Sequence, residues 1–419
     1  MLYLGEMPGF SALLTVGEAK ARFARVYTPR PRGTEHVALD EAFGRVLAAD
    51  VLAPEDLPPF DRSTVDGYAV RAEDTRGATP EAPAEVRLVG EVLMGEPASC
   101  RVGPGEAARI ATGGMLPEGA DAVVMLEDAD VRGGAVAVRR PVRPGDNVIR
   151  RAEDISRGEV AVRQGTRLRP QEVGLLAALG AVRVEVFLRP RVAVVATGDE
   201  VVPPDRVPGP GQVRDVNTYA LGALVRQAGG VPRSLGIVED SPERLLQVLA
   251  EARAAADLVL VSGGSSVGSR DAVAHAVNAL GKPGVVVHGV SIKPGKPTIL
   301  AVAEGTPIVG LPGHPVSGMV IFDVFVRDLL RGLSGERPRR GFGQTVRARL
   351  DRAVASAGVR EDHIRVALEE RAGTLWAIPI VGKSGVITTM TRADGVVVVP
   401  QGQDRVEEGA EVEVRLFDA

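Results

Sequence analysis

The hydrophobic pattern divides the chain into segments of different period. Thr15-Val-Gly-Glu18 ahead of a helical period predicts a capped helix running to about Tyr27. Leu39 to Ala49 predicts a second helix, with Asp40 and Glu41 near its start. Asp56-Leu-Pro-Pro-Phe-Asp61 cannot be helix interior, because proline lacks an N–H and pushes the residue before it to extended backbone. From about Val65 to Val148, short valine-rich runs (Glu85–Val89, Ala107–Ile110, Ala122–Leu126, Ala135–Arg139) alternate with Gly/Pro turns, predicting a small all-β module. Arg167 to Leu179 predicts a helix.

Residues 191–331 alternate strand and helix: strand Val192–Ala196, helix Val216–Gln227, a strand, helix Pro242–Ala255, strand Leu258–Val261, helix Arg270–Leu280, two further strands and a closing helix Val316–Leu330. The strands are continuously apolar, which signals a parallel sheet covered on both faces, a doubly wound α/β domain. Short strands return from about 342 to 419, with turns at Ala393-Asp-Gly395 and Glu407-Glu-Gly409.

Composition narrows the function. At 419 residues, roughly three domains are expected from length alone. Aromatics are only 3%, so the cores are aliphatic. A formal net charge of −4 argues against a general binder of nucleic acid or membrane surfaces. Cys100 is the single cysteine, so no disulfide within the chain and no cysteine-based metal site can form. Met1 to Leu14 lacks the basic start of a signal peptide, and no apolar run approaches the roughly 18 residues of a spanning helix. A cytoplasmic protein is expected. Lysine is scarce: apart from Lys20, Lys282, Lys293, Lys296 and Lys383, all of the 50 basic residues are arginines. Two of those lysines stand three apart.

Ligands of open α/β sheets bind beyond the carboxyl ends of the strands. Three such ends are glycine-rich or polar: Thr197-Gly-Asp-Glu200, Ser262-Gly-Gly-Ser-Ser-Val-Gly268, and Pro312-Gly-His-Pro-Val-Ser317. Such loops let backbone N–H groups approach an anion, and the following helix adds its positive end. Asp199, Glu200, Asp215, Asp240 and Asp271 accompany them. Each acid alone reads equally as a helix cap or a solvated face. Beside an anion, they call for a cation between, and Mg²⁺ bound through one or two carboxylates plus phosphate oxygens is the natural candidate. Ser291-Ile-Lys-Pro-Gly-Lys-Pro297 displays Lys293 and Lys296 close together, an arrangement that an oxyanion or a carboxylate between them would relieve. Asp66-Gly67 is by itself an ordinary hairpin signal. Of His36, His275, His288, His314 and His363, none has metal-ligand spacing and only His314 lies in one of these loops. Gly-x-Ser-x-Gly is absent.

Together these motifs resemble one family, the molybdopterin molybdenumtransferases of the MoeA and gephyrin-E type. The resemblance is carried by Asp56-Leu-Pro-Pro-Phe-Asp61, Asp66-Gly-Tyr-Ala69, Ala111-Thr-Gly-Gly114, Asp121-Ala-Val-Val124, Arg151-Ala-Glu-Asp-Ile155, Thr197-Gly-Asp-Glu200, Gly211-Gln-Val-Arg-Asp-Val-Asn217, Ser262-Gly-Gly264 with Ser266-Val-Gly268 and Asp271, Ile292-Lys-Pro-Gly-Lys-Pro297, Gly310-Leu-Pro-Gly313 with Pro315-Val-Ser317, and Ala393-Asp-Gly395. It spans nearly the whole chain, in order. His314 and Ser265 depart from the commoner residues of the pattern, as do Thr64-Val65 ahead of Asp66.

The resemblance implies multidomain α/β plus β architecture: an elongated N-terminal segment from 1–58 and 150–188, an inserted β domain at 59–149, a MogA-like α/β molybdopterin-binding domain at 189–334 and a C-terminal β barrel at 335–419. It implies a homodimer whose cleft combines the α/β domain of one subunit with the inserted region of the other. The implied reaction converts adenylyl-molybdopterin and molybdate to molybdenum cofactor and AMP with a divalent cation, Mg²⁺. Contacts with the molybdopterin adenylyltransferase and with apo-molybdoenzymes are implied as well. Carried over position by position, Asp66, Thr112, Asp154, Glu200, Asp240 and Asp271 match the cleft's reactive residues, with Asp66 and Asp271 as metal ligands. Thr197, Asp215, Asn217, Gly263, Gly264, Ser265, Ser266 and Gly268 match the pterin-phosphate site. Lys293, Lys296, Pro312, Pro315 and Ser317 match the molybdate surroundings, with Arg360 or Arg365, Thr388 and Thr389 as C-terminal candidates. Two rival readings are the adenylyltransferase, which shares the α/β domain, and a non-catalytic molybdopterin-binding scaffold.

Overall fold

The structure, a computed structural model, describes residues 13–263, 267–337 and 344–417, and only the backbone of 267–271. The chain divides into a smaller unit (residues 36–43 and 49–185) and a larger one (the described residues up to 35, 44–48 and those from 186). Helix Val16–Ala24 (α1) belongs to the larger unit and starts with the expected capping box: Thr15 Oγ1 accepts from the Glu18 N–H at 3.2 Å, and Glu18 Oε2 accepts from the Thr15 N–H at 2.8 Å. Its buried face is Ala19 and Phe23.

The smaller unit is built on a six-stranded sheet, as the valine-rich runs predict. Its strands are Gly67–Val70 (β1), Ala84–Val92 (β2), Glu106–Ile110 (β3), Ala122–Met125 (β4), Ala129–Arg132 (β5) and Ala135–Val138 (β6), in the order β4-β1-β3-β2-β6-β5. All neighbours are antiparallel except β2 with β3. Alternation sends Tyr68, Val70, Val124 and Val138 to one core and Ala69, Ala108, Ile110 and Val123 to another, so both faces are covered. Helix Pro170–Ala178 (α2) follows in the same unit.

In the larger unit the chain runs through strand Arg191–Thr197 (β7), helix Asn217–Gln227 (α3), strand Val231–Val238 (β8), helix Pro242–Ala255 (α4), strand Leu258–Ser262 (β9), helix Val267–Leu280 (α5), strand Pro283–His288 (β10), the short strand Ile292–Lys293 (β11), and strands Ile299–Ala303 (β12) and Thr306–Leu311 (β13). The main sheet has the order β8-β7-β9-β13-β12-β10. Val192, Val194, Leu258 and Leu260 face a core shared with α1 and α3, while Ala193, Val195, Val259 and Val261 face one shared with α4. Burial on both faces explains the unbroken apolar strands. Among the described residues, no helix is long and apolar enough to cross a membrane.

The C-terminal strands Thr345–Leu350 (β14), Glu361–Arg371 (β15), Thr374–Pro379 (β16), Gly395–Val399 (β17) and Glu411–Leu416 (β18) run in the order β15-β16-β14-β18-β17, and β17 pairs back to β15, closing a five-stranded barrel. Val366, Ala377, Val397, Val412 and Val414 fill it.

Three expectations are corrected. Leu39 to Ala49 is not a helix: only a single 3₁₀ turn forms at Leu39–Glu41. Gly44 takes φ 73°, which ends any helix, and Leu47 instead pairs with Val186 in an antiparallel bridge. The sheet is mixed rather than all parallel. Glu304 and Gly305, at φ 46° and 82°, form a two-residue turn, so β12 and β13 must be antiparallel, and β10 is antiparallel to β12. The closing helix is not one regular helix: Pro315–Ile321 (α6) passes through a π-helical turn, Phe322–Val326, into Arg327–Leu333 (α7).

Gly67 gives a test of the smaller unit. A methyl group there would sit 1.9 Å from the Val124 carbonyl oxygen, between two paired strands. Gly67→Ala should therefore cost about 2–4 kcal/mol by chemical denaturation, since neither backbone can yield cheaply. Unchanged stability would mean that β1 and β4 separate without penalty.

Candidate active site

The carboxyl ends of β7, β9 and β13 lie side by side, because those strands are parallel neighbours. The three glycine-rich or polar loops therefore meet at one edge, as the motif reading expects. Gly263 is required there: it sits at φ 151°, and a Cβ would lie 2.1 Å from the Thr197 carbonyl oxygen. Asn217, at the start of α3, ties two loops together. Its Nδ2 donates to Ser262 Oγ at 2.7 Å and to the Gly313 carbonyl at 2.8 Å. Thr197 donates its hydroxyl to Asp240, whose N–H donates to Asp199 Oδ1 at 3.1 Å. Buried Asp215 accepts the Thr218 N–H at 3.0 Å, the capping use its position suggests. Glu200 is exposed on the first loop. Gly264, Ser265 and Ser266 lie outside the described residues, and of Gly268 and Asp271 only the backbone, in α5, is described.

Beside this edge is a cleft of about 980 Å³ lined by Lys293, Lys296, Pro312, Ser317, and barrel residues including Arg360 and Arg365. The lysine turn is held by strand pairing. β11 runs parallel to β15, placing Ile292 opposite Glu361 and Lys293 opposite Asp362. Lys293 Nζ reaches Asp362 Oδ2 at 3.0 Å, and Ser356 Oγ donates to the same oxygen at 3.0 Å. Arg365 is buried, donates Nη2 to the Gly382 carbonyl at 2.7 Å, and leaves its buried Nε without a partner. Burial pushes its guanidinium pKa down. Ser317 is buried on α6, and Pro315 is that helix's first residue. His314 Nδ1 lies 2.8 Å from Ser384 Oγ, so the departure at this position links the strand-end loop to the barrel.

The C-terminal candidates divide. Arg360 and Arg365 line the cleft; Thr388 and Thr389 do not. Thr389 is buried in a four-residue helix, Thr388–Thr391 (α8), and spends its hydroxyl on the Val386 carbonyl at 2.7 Å. Asp362, Arg352, Lys383 and Ser384 line the cleft without having been singled out. The available signal was the acid between two flagged arginines in Arg360-Glu-Asp-His-Ile-Arg365.

In the smaller unit, Asp66 and Thr112 come together. Asp66 Oδ1 accepts the Thr112 N–H at 2.7 Å and its hydroxyl at 3.0 Å. These bonds, the backbone one first, hold the exposed Asp66 carboxyl below the usual carboxylate range, with Arg109 adding a smaller attraction. The surrounding segments are laced by backbone bonds: Gly113 N–H to Ser63 O at 2.8 Å, Thr64 N–H to Asn147 O at 2.9 Å, and Ala152 N–H to Pro58 O at 3.1 Å. Asp56 and Asp61 are consumed structurally, accepting backbone N–H groups of Arg157 at 2.9 Å and Arg151 at 2.7 Å. Asp154 is exposed on the adjoining segment, its N–H bonded to the Leu57 carbonyl at 3.1 Å.

No group of three or more His, Cys, Asp or Glu able to hold a metal occurs among the described residues. A cation held through one or two carboxylates plus phosphate oxygens needs no such cage. Asp66 fits that role: Oδ1 takes both Thr112 donors, and the group is exposed and favoured in its charged form.

A glycine-rich α/β edge lies beside a cationic cleft, and residues 193–332 match the model described as a probable molybdopterin binding domain. Residues 14–180 match the MoeA N-terminal region (domains I and II), and 347–417 its C-terminal region (domain IV). The chain is 36% identical to a molybdopterin molybdenumtransferase of Nostoc over 90% of this chain and 88% of that one, and 33% identical to that of Bacillus subtilis over 92% and 90%. A crystal structure of a molybdopterin biosynthesis MoeA protein from Pyrococcus horikoshii superimposes with a TM-score of 0.83 at 32% identity, covering 97% of this chain and all of that one. The chain belongs to the MoeA family of molybdopterin molybdenumtransferases.

The two bonds from Thr112 predict a pH response. Asp66 has a depressed folded pKa, so its stabilising contribution is present above the unfolded carboxyl value and is lost as pH falls through the folded one. Thr112→Val removes the hydroxyl and keeps the N–H, and should raise the Asp66 midpoint toward the ordinary value in a carboxyl NMR titration. An unmoved midpoint would show that the hydroxyl contributes nothing.

Proposed function

We propose that the cleft between the lysine turn and the barrel binds molybdate, and that the adjoining strand-end loops hold the terminal phosphate of an adenylylated molybdopterin. As a family member, the chain is a transferase of molybdenum cofactor biosynthesis that inserts molybdenum. The observation that carries the reading is the convergence of Lys293, Lys296, Arg360 and Arg365 on one cleft at the edge where β7, β9 and β13 end. Molybdate is a tetrahedral dianion, so fixed ammonium, guanidinium and hydroxyl donors, Ser317 among them, suit it. Pro312 lines that pocket, and Pro315 starts the helix that carries Ser317 into it. Thr197, Asp215, Asn217, Gly263, Gly264, Ser265, Ser266 and Gly268 form the pterin-phosphate site, with Glu200, Asp240 and Asp271 as its acids.

Cleaving the phosphoanhydride to release AMP needs charge neutralisation and an aligned nucleophile more than covalent help. Asp66, fixed by Thr112 and aided by Asp154, orients water or holds the divalent cation at the phosphoanhydride. Mg²⁺, held by Asp66 and Asp271 with substrate phosphate oxygens, would supply charge neutralisation there. The working form is a cytoplasmic homodimer in which the partner subunit supplies Asp66. The molybdopterin adenylyltransferase as donor of the adenylate, and apo-molybdoenzymes as acceptors, complete the reading. Family matches at 14–180 and 347–417, outside the shared α/β domain, count against the chain being that adenylyltransferase. The bonded Asp66 and the clustered lysines count against a non-catalytic scaffold.

The test supplies purified protein with adenylyl-molybdopterin and molybdate and follows AMP. Lys293→Ala with Lys296→Ala should raise the half-saturating molybdate concentration ~10-fold or more, the loss expected on removing charge-assisted bonds. Unchanged half-saturation would sink the oxyanion assignment. Asp66→Ala should stop AMP release while leaving adenylate binding largely intact; release at the normal rate would remove Asp66 from the chemistry.

A further inference from the structure

Asp362 is the only carboxylate among the cleft's described lining residues, which also include the cationic Lys293, Lys296, Arg352, Arg360, Arg365 and Lys383. A negative charge in an oxyanion site repels the ligand, so its presence requires a reason. The geometry supplies one. The Asp362 side chain is 7% exposed, whereas that of Lys293, bonded to it at 3.0 Å, is 51% exposed. A buried carboxylate must be paired and hydrogen-bonded, and Asp362 Oδ2 is, by Lys293 Nζ and Ser356 Oγ. Its backbone is fixed independently, because β15 pairs with β11 on one side and β17 on the other. The carboxylate is thus a rigid post at the root of the cleft, and the ammonium stands between it and the open space.

We infer that Asp362 is a positioning residue for molybdate: it holds the Lys293 ammonium in one place, so that an entering oxyanion meets a donor already oriented. The inference rests on the reading of the cleft as the molybdate site. An ammonium has three donors. One goes to Asp362, and two remain for the cleft. Lysine otherwise carries its charge on a flexible stem, and the entropy of fixing that stem would be lost on each binding event. Anchoring it beforehand moves that loss into folding, which is preorganisation. Ser356, bonded to the same oxygen, steadies the carboxylate further.

The sign of one substitution separates this role from simple electrostatics. Asp362→Asn keeps the shape and removes the charge. If Asp362 acted only through the field, its removal would strengthen molybdate binding by relieving repulsion. If it positions Lys293, its removal should weaken binding by ~5–20-fold, the scale of fixing one long side chain on binding. The effect should appear in KM for molybdate, with kcat at saturating molybdate within about twofold, and in direct titration with molybdate alone. Because Asp362 acts through Lys293, Asp362→Asn added to Lys293→Ala should cost little more than Lys293→Ala alone. Asp362→Glu keeps the charge and displaces it, and serves where the asparagine variant does not fold: it should raise the molybdate KM several-fold. Tighter binding by Asp362→Asn, full additivity with Lys293→Ala, or an unchanged KM in Asp362→Glu overturns the inference. A Lys293→Ala variant with normal molybdate binding would instead overturn the reading of the cleft itself.

Discussion

Two backbone rungs, Ile292 opposite Glu361 and Lys293 opposite Asp362, decide where the lysine turn of the α/β domain goes. A two-residue strand has little stability of its own. Laid against β15, it becomes the edge of the barrel sheet, and the ammonium of Lys293 inherits the rigidity of that sheet. The same rungs fix the distance between the strand-end loops and Arg360 and Arg365. The His314–Ser384 contact and the Val316 N–H to Ser384 carbonyl bond at 3.2 Å fasten the opposite wall. A cleft built from two folding elements is thereby given a defined shape without any covalent link.

The second constraint is close approach of backbones. Three parallel strands end together only if nothing projects between them, and Gly263 leaves no room for a side chain against the Thr197 carbonyl. Asn217 then satisfies the Ser262 hydroxyl oxygen and the Gly313 carbonyl, polar atoms that would otherwise be stranded. The site invests in positioned donors and charge, and that is the investment phosphoanhydride chemistry rewards.

Much of this was legible because it is local. Capping at Thr15, strand and helix alternation from Arg191, and glycine at strand ends each follow from residues a few positions apart. Failures came where a local signal was overruled. The helical pattern of Leu39 to Ala49 breaks at Gly44, a left-handed position whose consequence was visible in principle. The antiparallel edge was also readable, since Glu304-Gly305 leaves no room for a crossover helix. Asp362 was readable only as one of two acids between the flagged arginines; its meaning depends on a lysine 69 residues earlier, through a strand register that no sequence periodicity reports. Thr388 and Thr389 fall outside the cleft's lining, and the Thr389 hydroxyl bonds the Val386 carbonyl of its own turn, a local use that composition alone does not reveal.

The carboxylates of the smaller unit show the reverse case, in which the structure separates residues that the sequence makes look alike. Asp56 and Asp61 accept backbone N–H groups of the segment from Arg151 to Arg157, so their role is to join two distant stretches of chain. Asp66 also accepts an N–H, but it remains exposed, with both bonds to Thr112 on one oxygen. Its pKa is lowered, which bears on what it can do. A general base works best when its pKa lies near the operating pH. A carboxylate held below the ordinary range is a poor proton acceptor at neutral pH and a dependable negative charge. Thr112 therefore favours the charged form of Asp66, the form that the proposed roles of orienting water or holding a cation require.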